Sequence, residues 1–157
     1  MLIVGAEMCH RYTMLNLHPA LPTGPIGTWQ EVIWSLIESG ADTTGAMVHL
    51  ATEDVDRGPV VSYFTLPIVN GPFDGGWKEV EGRSVSELKA THGEELPLFH
   101  LIRQEEYRRE PYLLAATLSA LAKGDIQVSR GRVLNTRGEP IQGLCLDREI
   151  AGALALG

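Results

Sequence analysis

Residues 13–40, TMLNLHPALPTGPIGTWQEVIWSLIESG, decide the fold. They open on the apolar run Thr13–His18, closed by Pro19, whose ring forces His18 to be extended. Pro19–Gly27 then holds three prolines and two glycines, the composition of a loop with a constrained backbone. Thr28 supplies an N-cap, and Glu31 three residues later completes a capping box. The helix that follows runs to about Ser39, with Val32, Ile33, Leu36 and Ile37 on one face and Gly40 as its stop.

Downstream, Gly45–Thr52 and Val60–Ile68 read as strands rich in β-branched and aromatic residues. Strand, helix, strand is the order of an α/β domain. Between the two later strands lies a short acidic loop, Glu53–Pro59. Asn70–Gly76 reads as a Gly/Pro loop. Pro97 suits a first helical turn, with Leu98, Leu101 and Ile102 at helical spacing. Pro111 is expected to kink or restart this helix, whose second part turns Leu113, Leu114, Leu118 and Leu121 to the core before Gly124 ends it. Ile126–Leu134 and Gln142–Leu146 pair as one last hairpin around Asn135–Gly138, and Ala151–Gly157 is expected to fray. Upstream, Leu2–Val4 is a short apolar stretch. No internal repeat or low-complexity tract interrupts this order.

Composition sets the bounds. A chain of 157 residues has room for one compact domain. With 44% apolar and 21% charged residues, it can bury enough surface to offset its ordering entropy. Thirteen basic against 20 acidic residues give a net charge of −7, and no basic cluster offers a footprint for a nucleic-acid backbone. Cys9 and Cys145, the two cysteines, have no His or Cys near them at metal-ligand spacing, so both read as buried or half-buried thiols of a reducing cytoplasm. Met1–Ala6 is too short for a signal-peptide core, and no run approaches the roughly 20 apolar residues of a membrane helix.

The candidate chemistry lies in two segments. In Met14-Leu15-Asn16-Leu17-His18-Pro19, alternation along a strand projects Asn16 and His18 to one side, about 7 Å apart. They stand at the strand's C-terminal end, where ligand crevices of open α/β sheets lie. On spacing alone, the reading that the same two residues brace the Pro-rich turn stands ahead. In Gly45–Leu50 and the loop Glu53-Asp54-Val55-Asp56-Arg57-Gly58-Pro59, Asp56 is distinguished because Gly58–Pro59 pins the backbone behind it. His49 alternates with Met47 and Ala51 and reads as a satisfied sheet histidine.

Together, Asn16-Leu17-His18-Pro19-Ala20-Leu21-Pro22, Gly40-Ala41-Asp42-Thr43-Thr44-Gly45-Ala46-Met47-Val48-His49 and Asp56-Arg57-Gly58-Pro59 resemble the formyltransferase family in kind, order and separation. More faintly, the resemblance continues through Pro111 and Leu118–Arg130. It implies a Rossmann-like α/β domain over residues 1–150 with a mixed sheet and flanking helices, followed by a flexible tail, 151–157. It also implies 10-formyltetrahydrofolate as formyl donor to an amine, as in purine synthesis, with no metal. The family's catalytic Asn, His and Asp fall on Asn16, His18 and Asp56. Its folate pocket implies contacts from Leu2, Glu53, Asp54 and Val55, and Glu106 matches an acidic position that contacts the amine substrate.

The chemistry suits those types. Formyl transfer passes through a tetrahedral intermediate with negative charge on the former carbonyl oxygen. Asn16 and a protonated His18 can both donate to that oxygen, each such donor being worth about 3–4 kcal/mol. Asp56 would favour the imidazolium by its charge and orient a water that relays the amine proton. The resemblance covers only the C-terminal portion of the family's domain. The opening strands and the glycine-rich loop that grips a substrate phosphate have no counterpart, so the partial sheet is expected to be covered by self-association or a partner chain. Two other readings share these residues: hydrolysis of formyltetrahydrofolate, with water in place of the amine, and a non-catalytic module derived from the fold. The RNA-acting branch of the family carries a basic extension that this acidic chain lacks.

Overall fold

The computed structural model describes residues 6–53 and 56–156. After the short helix α1 (Ala6–Arg11), the decisive stretch folds as its sequence demands. β1 (Leu15–His18) enters the Pro/Gly loop, and Thr28 caps α2 (Trp29–Ser39). The Glu31 N–H donates to Thr28 Oγ1 at 3.3 Å and the Thr28 N–H to Glu31 Oε2 at 2.7 Å. Gly40 ends the helix in the left-handed region, φ 62. Val32, Ile33, Leu36 and Ile37 are all buried, as the helical period requires.

β2 (Thr43–Leu50) and β3 (Val60–Pro67) form an antiparallel pair at the centre of a four-stranded sheet of order β1-β2-β3-β6, where β6 is Leu144–Cys145. A helix joining two neighbouring strands usually makes them parallel. Here β1 runs antiparallel to β2, with Asn16 opposite His49 and His18 opposite Met47. β6 (Leu144–Cys145) runs parallel to β3, so the sheet is mixed. α5 (Pro97–Lys123) packs across β2 and β3 and against α2, burying Leu98, Phe99, Ile102 and Leu113. Among the described residues, no helix is long and apolar enough to cross a membrane.

Several expectations are corrected by packing. Asn70–Gly76 is not all loop: a 3-10 turn, Gly71–Phe73, leads directly into α3 (Asp74–Val80), followed by α4 (Val85–Thr91). Gly76 lets α3 pack closely on α5, because a Cβ there would stand 2.9 Å from the Leu98 Cβ. Pro111 does not restart α5, which is one helix of 27 residues. Pro111 lies on its exposed side, so water can satisfy the carbonyl that the proline cannot. That side also carries Leu114 and Leu118, expected in the core but 40% and 58% exposed.

The last hairpin is tighter than the sequence reading. β4 (Ile126–Ser129) and β5 (Arg132–Asn135) turn at Arg130–Gly131, both at positive φ, the geometry that suits the twist of a two-residue hairpin. Asn135–Gly138 is a second turn that brings Pro140 beside Leu134. β6 leaves the hairpin for the main sheet. The supposed tail is α6 (Asp147–Leu156): the Thr65 N–H and Oγ1 both donate to the Asp147 carboxylate, and Ile150 is buried. Cys9 is half-buried, but Cys145 is exposed on the short edge strand β6; both are free thiols.

Candidate active site

The antiparallel register of β1 and β2 puts Asn16, His18, Met47 and His49 on one face. Against that face comes the loop joining β2 to β3. Gly58 allows the approach, since a Cβ there would lie 1.7 Å from the Leu50 carbonyl oxygen, and the Leu50 N–H donates to the Pro59 carbonyl at 2.9 Å. The sequence argument that Gly58–Pro59 pins Asp56 thus has a definite geometry. Asp56 itself takes φ 55, a left-handed conformation that Asp and Asn tolerate better than other side chains.

Its carboxylate is the hub. Asn16 Nδ2 donates to Asp56 Oδ1 at 3.2 Å, His18 Nδ1 stands 3.5 Å from Oδ2, and His49 Nε2 stands 3.4 Å from Oδ1. Alternation along β2 makes His49 a satisfied sheet histidine, and half of it is. Its Nδ1–H donates to the Leu50 carbonyl at 3.0 Å, which leaves Nε2 to accept from Asn16 Nδ2 at 3.3 Å. The other half belongs to the cluster. A β-bulge between Val48 and His49 lies where this ring enters the site. The signal that could have found it is the cross-strand pairing with Asn16, which alternation within one strand does not reveal.

Electrostatics correct one expectation. Burial pushes the His18 imidazole below its ordinary value of 6.5, and the upward pull of Asp56 does not overcome it. His18 is therefore neutral at pH 7, not the imidazolium. Nδ1 faces Asp56, the Pro25 backbone also pulls the pKa upward without overcoming burial, and Nε2 is buried with no hydrogen-bond partner. Asn16 is also not a free donor in this state, because Nδ2 serves both Asp56 and His49.

Asp56 reaches the wall of a cavity of about 600 Å³, which the loop Leu21–Ile26, Met47 and Arg57–Val60 also line. The other predicted residues divide. Glu53 is exposed in the β2–β3 loop, while Leu2, Asp54 and Val55 lie outside the described residues. Glu106 is not brought to the cavity. It is fully buried between α5 and β2, where it accepts from Thr44 Oγ1 at 2.8 Å. Its Oε2 lies 4.0 Å from Arg103 Nη1 with no hydrogen bond, and burial raises its pKa from 4.5 to about 8. Among the described residues, no group of three or more His, Cys, Asp or Glu is placed to hold a metal ion.

The fold is similar to that of solved formyltransferase structures. Residues 1–73 match the family model described as formyl transferase. The chain is similar in structure to phosphoribosylglycinamide formyltransferase from Coxiella burnetii, solved in complex with CHES, at 21% identity and TM-score 0.65. That likeness covers 92% of this chain and 57% of the other. The enzyme of the same name from Anaplasma phagocytophilum gives 17% identity and TM-score 0.55, over 94% and 60%. A formyltetrahydrofolate deformylase from Pseudomonas putida KT2440 gives 18% and 0.55, over 86% and 39%. The chain thus spans at most about three-fifths of these structures. No curated protein matches its sequence.

Proposed function

We propose that this chain carries the reacting centre for transfer of a formyl group from 10-formyltetrahydrofolate to an amine. The observation that carries the reading is the convergence of Asn16, His18 and Asp56, with the second His18 ring nitrogen, Nε2, buried and unpartnered. The amine nitrogen attacks the formyl carbon, and its proton passes to His18 Nε2, directly or through a water. The imidazolium so formed faces the new oxyanion, stabilised by Asp56 behind it. As the bond to the folate nitrogen breaks, that nitrogen recovers the proton. Asn16 joins by exchanging His49 or Asp56 for the oxyanion.

Arg57 in the cavity wall offers a cation to an anionic group of either ligand. Water in place of the amine is the second reading, favoured by the likeness to a deformylase. Calorimetric titration with a non-transferring 10-formyltetrahydrofolate analogue tests the pocket: micromolar binding that weakens in Asp56→Asn supports the proposal, and no heat of binding overturns it. Incubation with 10-formyltetrahydrofolate then separates the two readings. Formylation of phosphoribosylglycinamide, the acceptor in the names of the similar enzymes, supports transfer; formate released without an amine supports hydrolysis.

A further inference from the structure

His49 takes no part in the proposed proton path, yet both of its ring nitrogens are engaged. The ring is 1% exposed and faces Asn16 across the β1–β2 register, beside the bulge at Val48. Nδ1 lies 3.0 Å from the Leu50 carbonyl. That oxygen can only accept, so Nδ1 carries a proton and Nε2 is left to accept in turn. Asp56 Oδ1 is a second acceptor, 3.4 Å from Nε2. The Asn16 amide nitrogen completes a triangle with them, 3.3 Å from Nε2 and 3.2 Å from Oδ1.

The two ends of an asparagine amide have nearly the same shape, and hydrogen bonding alone tells them apart. Between two acceptors only the nitrogen end is stable; turned over, the amide would set its oxygen against a lone pair and a carboxylate. Packing does not hold the Asn16 side chain, because the residue is exposed. In the proposed transfer, Asp56 is drawn to the His18 imidazolium as the proton moves, so it does not hold the amide alone. His49, anchored to backbone through Nδ1, keeps its acceptor in place throughout.

We propose that His49 is a positioning residue: it turns the nitrogen end of the Asn16 amide toward the reacting carboxylate and so keeps a donor where the oxyanion forms. Its part in turnover rests on the formyl-transfer reading; the hydrogen-bond pattern does not. Two-bond proton–nitrogen NMR correlation on the whole chain at neutral pH, with no ligand, reads which ring nitrogen of His49 is protonated. Nδ1 should carry the proton and Nε2 should be bare. The Asn16 side-chain amide signals, assigned with Asn16→Asp, should move in His49→Leu while circular dichroism stays unchanged. A proton on Nε2, or Asn16 signals indifferent to His49→Leu, overturns the proposal whether or not the chain transfers formyl groups. If His49→Leu does not fold, the ring spectrum of the wild type still decides. In formyl transfer, His49→Leu should lower kcat about tenfold, the worth of one hydrogen bond, with KM little changed. His49→Gln, whose carbonyl oxygen can reach the place of Nε2, should recover most of that loss. Equal rates in the two variants overturn the positioning role. A wild type without formyl transfer ends the formyl-transfer reading, and the two spectra then decide whether His49 holds Asn16.

Discussion

Both ends of β2 bury polar side chains, and the two burials differ in kind. At one end His49, 1% exposed, joins Asn16, His18 and Asp56, and the cluster reaches a cavity through Asp56. At the other, five residues and about 17 Å back along the strand, Thr44 holds Glu106 in a sealed space between sheet and helix. In the first, the carboxylate has three nitrogen neighbours within 3.5 Å, and the unpartnered atom is a ring nitrogen. In the second, the carboxyl has one hydrogen bond, and its own oxygen is the orphan. A loop pressed onto a strand end makes a cluster that opens on a cavity. A helix laid across the strand makes a fixed brace.

If that contrast holds, the largest effect belongs to Asp56→Asn. Asn keeps the left-handed conformation at φ 55 and can still hydrogen-bond, so thermal unfolding should be unchanged. Formyl-transfer turnover should fall by about a hundredfold or more, the scale of a lost acid–base group. Retention of more than about a tenth of wild-type turnover would remove Asp56 from the proton path.

His18→Ala should cost a comparable factor, and pH sharpens the test. In the proposed mechanism the neutral ring is the working form, and burial holds its pKa below 6.5. The acid limb of kcat/KM should therefore lie below pH 6.5 in the wild type. Asp56 pulls that pKa upward, so Asp56→Asn should move the residual activity's acid limb to still lower pH. A limb above 6.5, or one that rises in the variant, contradicts the assignment.

The same contrast shows what could be read without coordinates. Local chemistry was legible: Thr28, Glu31 and Gly40 bounded α2 because caps act over three or four residues. Asn16, His18 and Asp56 were legible as types in an order that resembles a family. Pairing between distant segments was not. The antiparallel register that brings His49 to Asn16 depends on strands separated by a whole helix, and alternation gives a face but not a neighbour. The balance between burial and charge at His18 was equally hidden, because sequence shows that Asp56 can be near but not how much water is excluded. Leu114 and Leu118 failed for a related reason: helical period finds an apolar side, and α5 has two of them.

At the sealed end the effect is on stability. The Glu106 carboxyl ionises near pH 4.5 unfolded but only near pH 8 folded. Its contribution is thus fully present below about pH 4.5 and lost as pH rises through 8. Across that window each pH unit costs about 1.4 kcal/mol. Glu106→Gln should remove that decline, so chemical unfolding followed from pH 5 to pH 8 should be flatter in the variant. Parallel curves for the two proteins would mean that Glu106 is solvated or ionised in the native state.

The smallest change, Thr44→Val, separates the brace from the site. It keeps the shape of a residue 1% exposed and removes the single hydrogen bond to Glu106, at a cost of about 1–2 kcal/mol. Thr44 holds the Glu106 pKa down against burial, so its loss should extend the pH-dependent decline to higher pH. Affinity for a folate analogue should not change, because the cavity wall near Asp56 is built from the opposite end of the strand. A loss of affinity matching the loss of stability would show that the two burials on β2 act as one unit, and the distinction between brace and site would fall.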